Sequence, residues 1–214
     1  TYEDNYLNLC RKILDEGEYT EDRTGTGTYS IFGATIKHDL SKGFPLLTTK
    51  KINPVLPIGE LLWMLSGDTD LPSLRKYQNK PEDSHTIWSD DYQKFLLSHE
   101  LGRQVEESET LGRIYGFQLR NQYKVDPDYN VVIHDQFTTL VDNIKAVKNS
   151  PNHPMARRLI CSFWDSYDHT IGDKATCALP ACHTDFQCLV RGDKLHLRYS
   201  MRSNDAFLGQ PFNE

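Results

Sequence analysis

Cys182 stands directly after the turn-like Ala178-Leu179-Pro180-Ala181 and just before an apolar run, Phe186 to Val190, that reads as a strand. A second alternating stretch ends in Met201-Arg202-Ser203-Asn204-Asp205, and Arg191-Gly192-Asp193-Lys194 between the two is a good hairpin turn. A hairpin brings its ends together, which predicts Cys182 and Arg202 as neighbours. A guanidinium beside a thiol favours the thiolate, the nucleophilic form. The plainer reading is a buried structural thiol, because free Cys is among the most buried residue types.

Three other groups have side chains fit for chemistry. Glu60 sits among Ile58, Leu61, Leu62, Trp63 and Leu65. It either snorkels at a helix edge or is buried, and a buried carboxylate is costly without a partner and is often an acid–base group. Asp22-Arg23-Thr24-Gly25-Thr26-Gly27-Thr28 is an open loop that can bring Arg23 and backbone N–H groups to a phosphate, or a plain surface turn. It is neither a P-loop nor a dinucleotide fingerprint, since no Gly-Lys-Ser/Thr follows. Arg157-Arg158, just before an apolar run, is a solvated edge or an anion clamp.

The elements that must hold these residues follow from periodicity. Residues 2–16 form a helix with Tyr6, Cys10, Ile13 and Leu14 on one face and Gly17 past its end. Residues 29–40 read as a strand pair and 43–51 as strand-like, while 58–66 read as a largely buried helix. Residues 67–110 are a loop-and-helix region around Ile87-Trp88, and 111–116 are a short turn. Phe137, Leu140, Val141, Ile144 and Val147 mark an amphipathic helix, followed by a strand over 159–164. Leu195, Leu197, Tyr199 and Met201 alternate with His196, Arg198, Ser200 and Arg202. The class is α+β: a mixed, mainly antiparallel sheet layered with helices.

At 214 residues the chain predicts one domain, residues 1–214, with a sizeable core. A net charge of −6 argues against a general nucleic-acid or membrane-surface binder. Five cysteines with no C-x-x-C pair signal neither a disulfide framework nor a zinc site, and no metal is expected. Without a signal peptide or a long apolar run, the expected compartment is the reducing cytoplasm.

Taken in order, these stretches resemble the thymidylate synthase family over nearly the whole chain. The matching segments are Arg23 to Thr28, Gly43 to Lys51, Glu60-Leu61-Leu62-Trp63, Ile87-Trp88, Tyr115-Gly116, Arg157-Arg158, Leu179 to His183, Arg202-Ser203-x-Asp205 and Leu208-Gly209-x-Pro211-Phe212-Asn213. The resemblance implies one-carbon transfer from 5,10-methylenetetrahydrofolate to C5 of dUMP, giving dTMP, with Cys182 adding to C6 as a thiolate. It implies that Arg23, Arg202 and Ser203 bind the phosphate, and that Arg157 and Arg158 come from the other subunit of a homodimer formed through the sheet face. Glu60 would organise water for proton transfers, and Asn213 would read the uracil edge. Asp205 would bond the pterin and Trp88 would pack on the folate, with Lys50 and Gly209 also on the folate side. Tyr115 and His183 complete the implied site.

The chain departs from the family pattern at several positions. The usual Gln before the phosphate-binding Arg is Met201, and the usual Cys or Val after Arg-Ser is Asn204. Met-Arg-Ser-Asn-Asp resembles the phage deoxycytidylate hydroxymethylases of the same superfamily. The second Trp after Ile-Trp is missing, with Asp91 and Tyr92 in that region. The basic residue after Thr-Thr-Lys-Lys is Asn53, and a Trp of the Tyr-Gly stretch is Leu119. The family's common intermediate is completed by hydride to give thymidylate or by water to give the 5-hydroxymethyl nucleotide. The sequence thus leaves dUMP hydroxymethylase as an alternative, with an inactive nucleotide-binding dimer as a remote third. The family fold continues beyond the segment that ends at Glu214, so the expectation for 214 residues alone is weak or no turnover.

Overall fold

The computed structural model describes residues 1–21, 25–98, 108–169 and 175–213. They gather into two compact units, Thr1–Pro54 with Asn204–Glu214, and Val55–Ser203.

In the first unit, helix α1 (Tyr2–Glu16) starts on a capping box between Thr1 and Asp4 and stops at Gly17. Tyr6 is its buried residue, and Leu14, expected on the buried face, is 73% exposed. Strand β1 (Glu18–Thr20) pairs antiparallel with β2 (Thr28–Ser30). The strand pair expected over 29–40 is therefore corrected. Only its start is strand, its partner lies upstream, and Gly33 at φ +87° turns the chain out of extended pairing. Residues 43–51, expected to be extended, form no strand either. The Glu3 carboxylate takes the N–H groups of Thr48 (2.8 Å) and Thr49 (2.6 Å), donors that a ladder would otherwise use.

In the second unit, helix α2 (Val55–Ser66) packs on α3 (Leu71–Tyr77). The two meet closely because Gly59 has no side chain; a Cβ there would lie 2.6 Å from the Tyr77 carbonyl oxygen. Trp63, fully buried, locks the contact by donating Nε1–H to Ser73 Oγ (2.9 Å) and to the Asp70 carbonyl (3.1 Å). Asp70 in turn caps α3 through Ser73 N–H. The expectation of a largely buried α2 is corrected. Gly59 and Trp63 face α3, while Ile58 and Leu61 are 53% and 55% exposed because the helix is covered along one stripe.

Helix α4 (Ser89–Ser98) follows, and α5 (Tyr115–Arg120) opens where the segment at Gly112 bonds to the segment at Cys177. Arg113 N–H donates to Thr176 O and Ala178 N–H to Leu111 O, both at 2.9 Å. Strands β3 (Gln122–Val125) and β4 (Val131–His134) form a hairpin whose turn is closed by Asp126 Oδ1 on the N–H groups of Asp128 and Asn130. Helix α6 (Gln136–Asn149), capped by Asp135, buries Leu140 and Val147 as its periodicity predicts.

The main sheet is β5 (Ile160–Ser162), β6 (His183–Arg191) and β7 (Lys194–Met201), antiparallel throughout in that order. Helix α6 packs on β5 and β6. The register puts Leu197 beside Cys188 and Leu195 beside Val190, yet Leu195 and Leu197 on the edge strand stay exposed. The expected α+β class with antiparallel sheets is what the chain forms. Among the described residues no helix is long and apolar enough to cross a membrane.

Candidate active site

Hairpin register places the nucleophile candidate. His183 pairs with Met201, and one step further Arg202 N–H donates to the Cys182 carbonyl at 2.9 Å. The Arg202 side chain then folds back over the turn: Nε donates to Ala181 O (2.8 Å) and Nη2 to Pro180 O (3.2 Å). Nη2 also reaches Cys182 Sγ at 3.9 Å. The neighbourhood predicted from the turn is present. On its other side Arg202 borders an open recess of about 400 Å³, shared with Ser162, Trp164, Thr184 and Asp185.

The other thiols of this unit face the opposite chemistry. Cys161 donates to Gln136 O (3.6 Å) and Cys177 to Asp168 O (3.1 Å), which uses their protons. Burial pushes Cys161 up to about 12 and Cys177 up to about 11, and raises Cys188 as well. Cys182, half-buried, instead meets a cationic donor.

Tyr115 holds the backbone at the nucleophile candidate. Its hydroxyl oxygen accepts Cys182 N–H at 2.9 Å and His183 N–H at 3.4 Å. Burial raises the phenol's pKa well above its ordinary value, so it remains protonated. His183 is packed between the Tyr115 and Tyr199 rings, with centroids 5.2 and 5.1 Å away. Burial lowers its imidazole to about 4, so it is neutral near pH 7. Its Nδ1 is buried and takes no hydrogen bond among the described residues.

Glu60 Oε1 accepts the indole N–H of Trp88 at 2.7 Å. Desolvation raises its pKa, and the indole bond pulls the other way. Trp88 is buried, its ring 6.0 Å from that of Tyr115. Thus a line of contacts runs Glu60, Trp88, Tyr115, Cys182. The structure places Trp88 in the core as the donor that holds Glu60, a role its resemblance to a folate-packing residue does not reveal.

Other implied residues are not members of this line of contacts. Arg157 and Arg158 are exposed just before β5, and Ser203 is exposed after β7. Among the described residues neither arginine has an ion-pair partner. Lys50, Asp205, Gly209 and Asn213 belong to the other compact unit. There Lys50 donates to Phe207 O at 2.7 Å and lies over the Phe207 ring. Asp205 Oδ1 accepts N–H from Phe207 (2.8 Å) and Leu208 (2.6 Å), and Asn213 donates to Asn204. Arg23 lies outside the described residues.

Sequence reading missed one supporting cluster. Asp168, 3% exposed, accepts hydrogen bonds from Gln118 Nε2 (2.6 Å) and Thr176 Oγ1 (2.6 Å) and forms an ion pair with Arg113, whose Nε lies 2.7 Å away. It ties both ends of the Tyr115 segment to the chain leading into Cys182. The only sequence signal was an arginine in a Gly-Arg turn and an acidic residue far downstream, neither of which announces a buried pair.

Among solved structures, the chain is similar to thymidylate synthase from T4 phage, with a TM-score of 0.75 and 37% identity. That match covers 97% of this chain and 64% of the phage chain, so the sequence spans just under two thirds of its relative's length. The family model described as thymidylate synthase matches residues 4–214, which takes in every implied position. A match of that extent, on a hairpin that sets Cys182 against Arg202, shows that the chain belongs to the thymidylate synthase family.

Proposed function

We propose that the chain transfers the one-carbon unit of 5,10-methylenetetrahydrofolate to C5 of dUMP, giving dTMP and dihydrofolate. The observation that carries this reading is Cys182 Sγ facing Arg202 Nη2 at 3.9 Å, with the Cys182 backbone bonded to Tyr115 and Arg202.

Uracil C5 is a poor nucleophile. Cys182 adds its sulfur electron pair to C6, and the C5–C6 π electrons move toward the C4 carbonyl, leaving C5 nucleophilic. The folate supplies the methylene carbon and the hydride. Loss of the C5 proton expels the folate nitrogen and leaves an exocyclic methylene on C5; hydride from the tetrahydrofolate adds to that methylene as the C6–S bond breaks and Cys182 departs as thiolate. A guanidinium beside the sulfur stabilises negative charge both at attack and at departure. Glu60, whose raised pKa makes it a better proton carrier near neutral pH, moves protons through water. Neutral His183 offers a hydrogen bond without adding a charge.

Arg202, Ser203 and Arg23 hold the phosphate, and Arg157 and Arg158 do so across a homodimer formed through the sheet face; guanidinium forks suit a phosphate dianion. Asn213 offers a donor to O4 and an acceptor to N3–H. The donor set is compatible with a folate. Asp205 uses Oδ1 on two backbone N–H groups, leaving Oδ2 to accept from a pterin N–H. Gly209 and Lys50 lie in the same unit, and Trp88 acts through Glu60. The cytoplasm, where both substrates would be met, is the proposed compartment.

Two departures from the family pattern have local structural roles. Leu119 is 2% exposed and fills core, and Asn204 bonds to its own neighbours. The test is mass spectrometry of the product from dUMP and methylenetetrahydrofolate, with dihydrofolate followed by absorbance. Thymidylate with stoichiometric dihydrofolate is expected. Hydroxymethyl-dUMP without dihydrofolate would replace the synthase reading by the hydroxymethylase, and nucleotide binding without product would leave a binding dimer.

A further inference from the structure

Asn204, one of the residues by which this chain departs from its family's pattern, is bonded on both sides. Asn213 Nδ2 donates to Asn204 Oδ1 at 3.1 Å, Asn204 Nδ2 donates to Gln210 Oε1, and Gln210 Nε2 donates to Tyr2 Oη at 3.1 Å. Three amides therefore run in series, each donating to the next, and end on a hydroxyl.

An amide has polarity: one end donates and the other accepts. Turning Asn213 alone would set its oxygen against the Asn204 oxygen. Turning Asn204 as well would set oxygen against oxygen at Gln210. Asn213 cannot invert unless Asn204 and Gln210 invert with it. The backbone keeps the members in place. Asp205 O accepts the N–H groups of Gly209 (3.0 Å) and Gln210 (2.8 Å), and Gly209 O accepts that of Asn213 (3.2 Å). A side chain at Gly209 would put a Cβ 3.1 Å from Asn204 Oδ1 and 3.4 Å from Asn213 Nδ2, so the absence of one leaves room for the pair.

We propose that Asn204 is a positioning residue that fixes the polarity of the Asn213 amide and thereby the choice between a uracil and a cytosine nucleotide. The proposal rests on the assignment of Asn213 to the pyrimidine edge. With one Nδ2 hydrogen held by Asn204, Asn213 presents its second N–H and its Oδ1 in a fixed order. Uracil shows an acceptor at O4 and a donor at N3, and cytosine shows the reverse. An asparagine free to turn can serve both; a held one serves one.

The test compares Asn204→Ala and Asn204→Asp in the full chain. A carboxylate still accepts from Asn213 and, once Gln210 turns, from Gln210, so the aspartate variant retains the order. Alanine releases it. The preference for dUMP over dCMP in nucleotide binding is expected to fall about tenfold in the alanine variant, the scale of one lost hydrogen bond, and to persist in the aspartate variant. The side-chain amide resonances of Asn213, read by NMR without nucleotide, should move in the alanine variant. An unchanged preference in Asn204→Ala would overturn the proposal. So would a loss of affinity equal for both nucleotides. If the wild-type chain binds neither nucleotide, the base-reading assignment fails, and the Asn213 resonances still report separately whether Asn204 holds that amide.

Discussion

Replacing Cys182 with serine is expected to abolish turnover, by at least about a thousandfold, while dUMP affinity changes little. Serine keeps the shape of the site, but its hydroxyl is a far weaker acid than a thiol and provides almost no anion to add to C6. Most of what holds the loop does not involve sulfur. Arg202 keeps its bonds to the Ala181 and Pro180 carbonyls, and Tyr115 keeps the Cys182 backbone N–H. Single-turnover kinetics and calorimetric binding separate the two effects. Substantial activity in the serine variant would remove the covalent mechanism.

Glu60→Gln is expected to lower kcat by about a hundredfold to ten-thousandfold, the usual range for a lost acid–base group, and to stabilise the fold at neutral pH. The sign follows from the raised pKa. Between the ordinary value near 4.5 and the raised folded value, the folded chain holds a proton that the unfolded chain has released. Stability from this group is therefore fully present below the unfolded pKa and is lost as pH rises through the folded one. Glutamine carries no charge at any pH, and its oxygen can still accept from Trp88. Melting temperatures at pH 5 and pH 8 should converge in the variant relative to wild type. A variant less stable than wild type at pH 8 would mean that the Glu60 charge is compensated by something other than the indole.

Some of this site was legible in sequence because it depends on local rules. The turn at Gly192-Asp193 and the alternation on both flanks set the pairing as far as Asp185 with Ser200, and a one-residue register shift between His183 and Asp185, which the alternation does not announce, then brings Arg202 opposite Cys182. The α6 stripe was legible for the same reason: Leu140 and Val147 recur at helical spacing. The β3–β4 hairpin was missed, although Asp126-Pro127-Asp128 is a turn signal with a mechanism, an aspartate closing on backbone N–H groups.

Contacts made by one side chain across long sequence separation were not legible. Nothing in the composition of residues 43–51 says that Glu3 will take the N–H groups of Thr48 and Thr49 and prevent a strand. The α2 sequence is apolar nearly all round, which predicts burial on all sides; the close approach at Gly59 instead commits one stripe to α3. The role of Trp88 depends on where its indole N–H points, and Asp168 depends on two donors and an arginine ion pair from two separate segments. The resemblance to a family supplied the candidate site residues, and the geometry supplied what holds Cys182, Tyr115 and Glu60.

The most direct test of the central claim, that Cys182 attacks C6, is a covalent trap. A fluorine at C5 cannot leave as the C5 proton does, so the adduct formed by 5-fluoro-dUMP and methylenetetrahydrofolate should persist. Digestion and mass spectrometry should then locate nucleotide and folate together on the peptide that carries Cys182. An adduct on Cys10, Cys161, Cys177 or Cys188, or nucleotide binding with no adduct on any cysteine, would contradict the account.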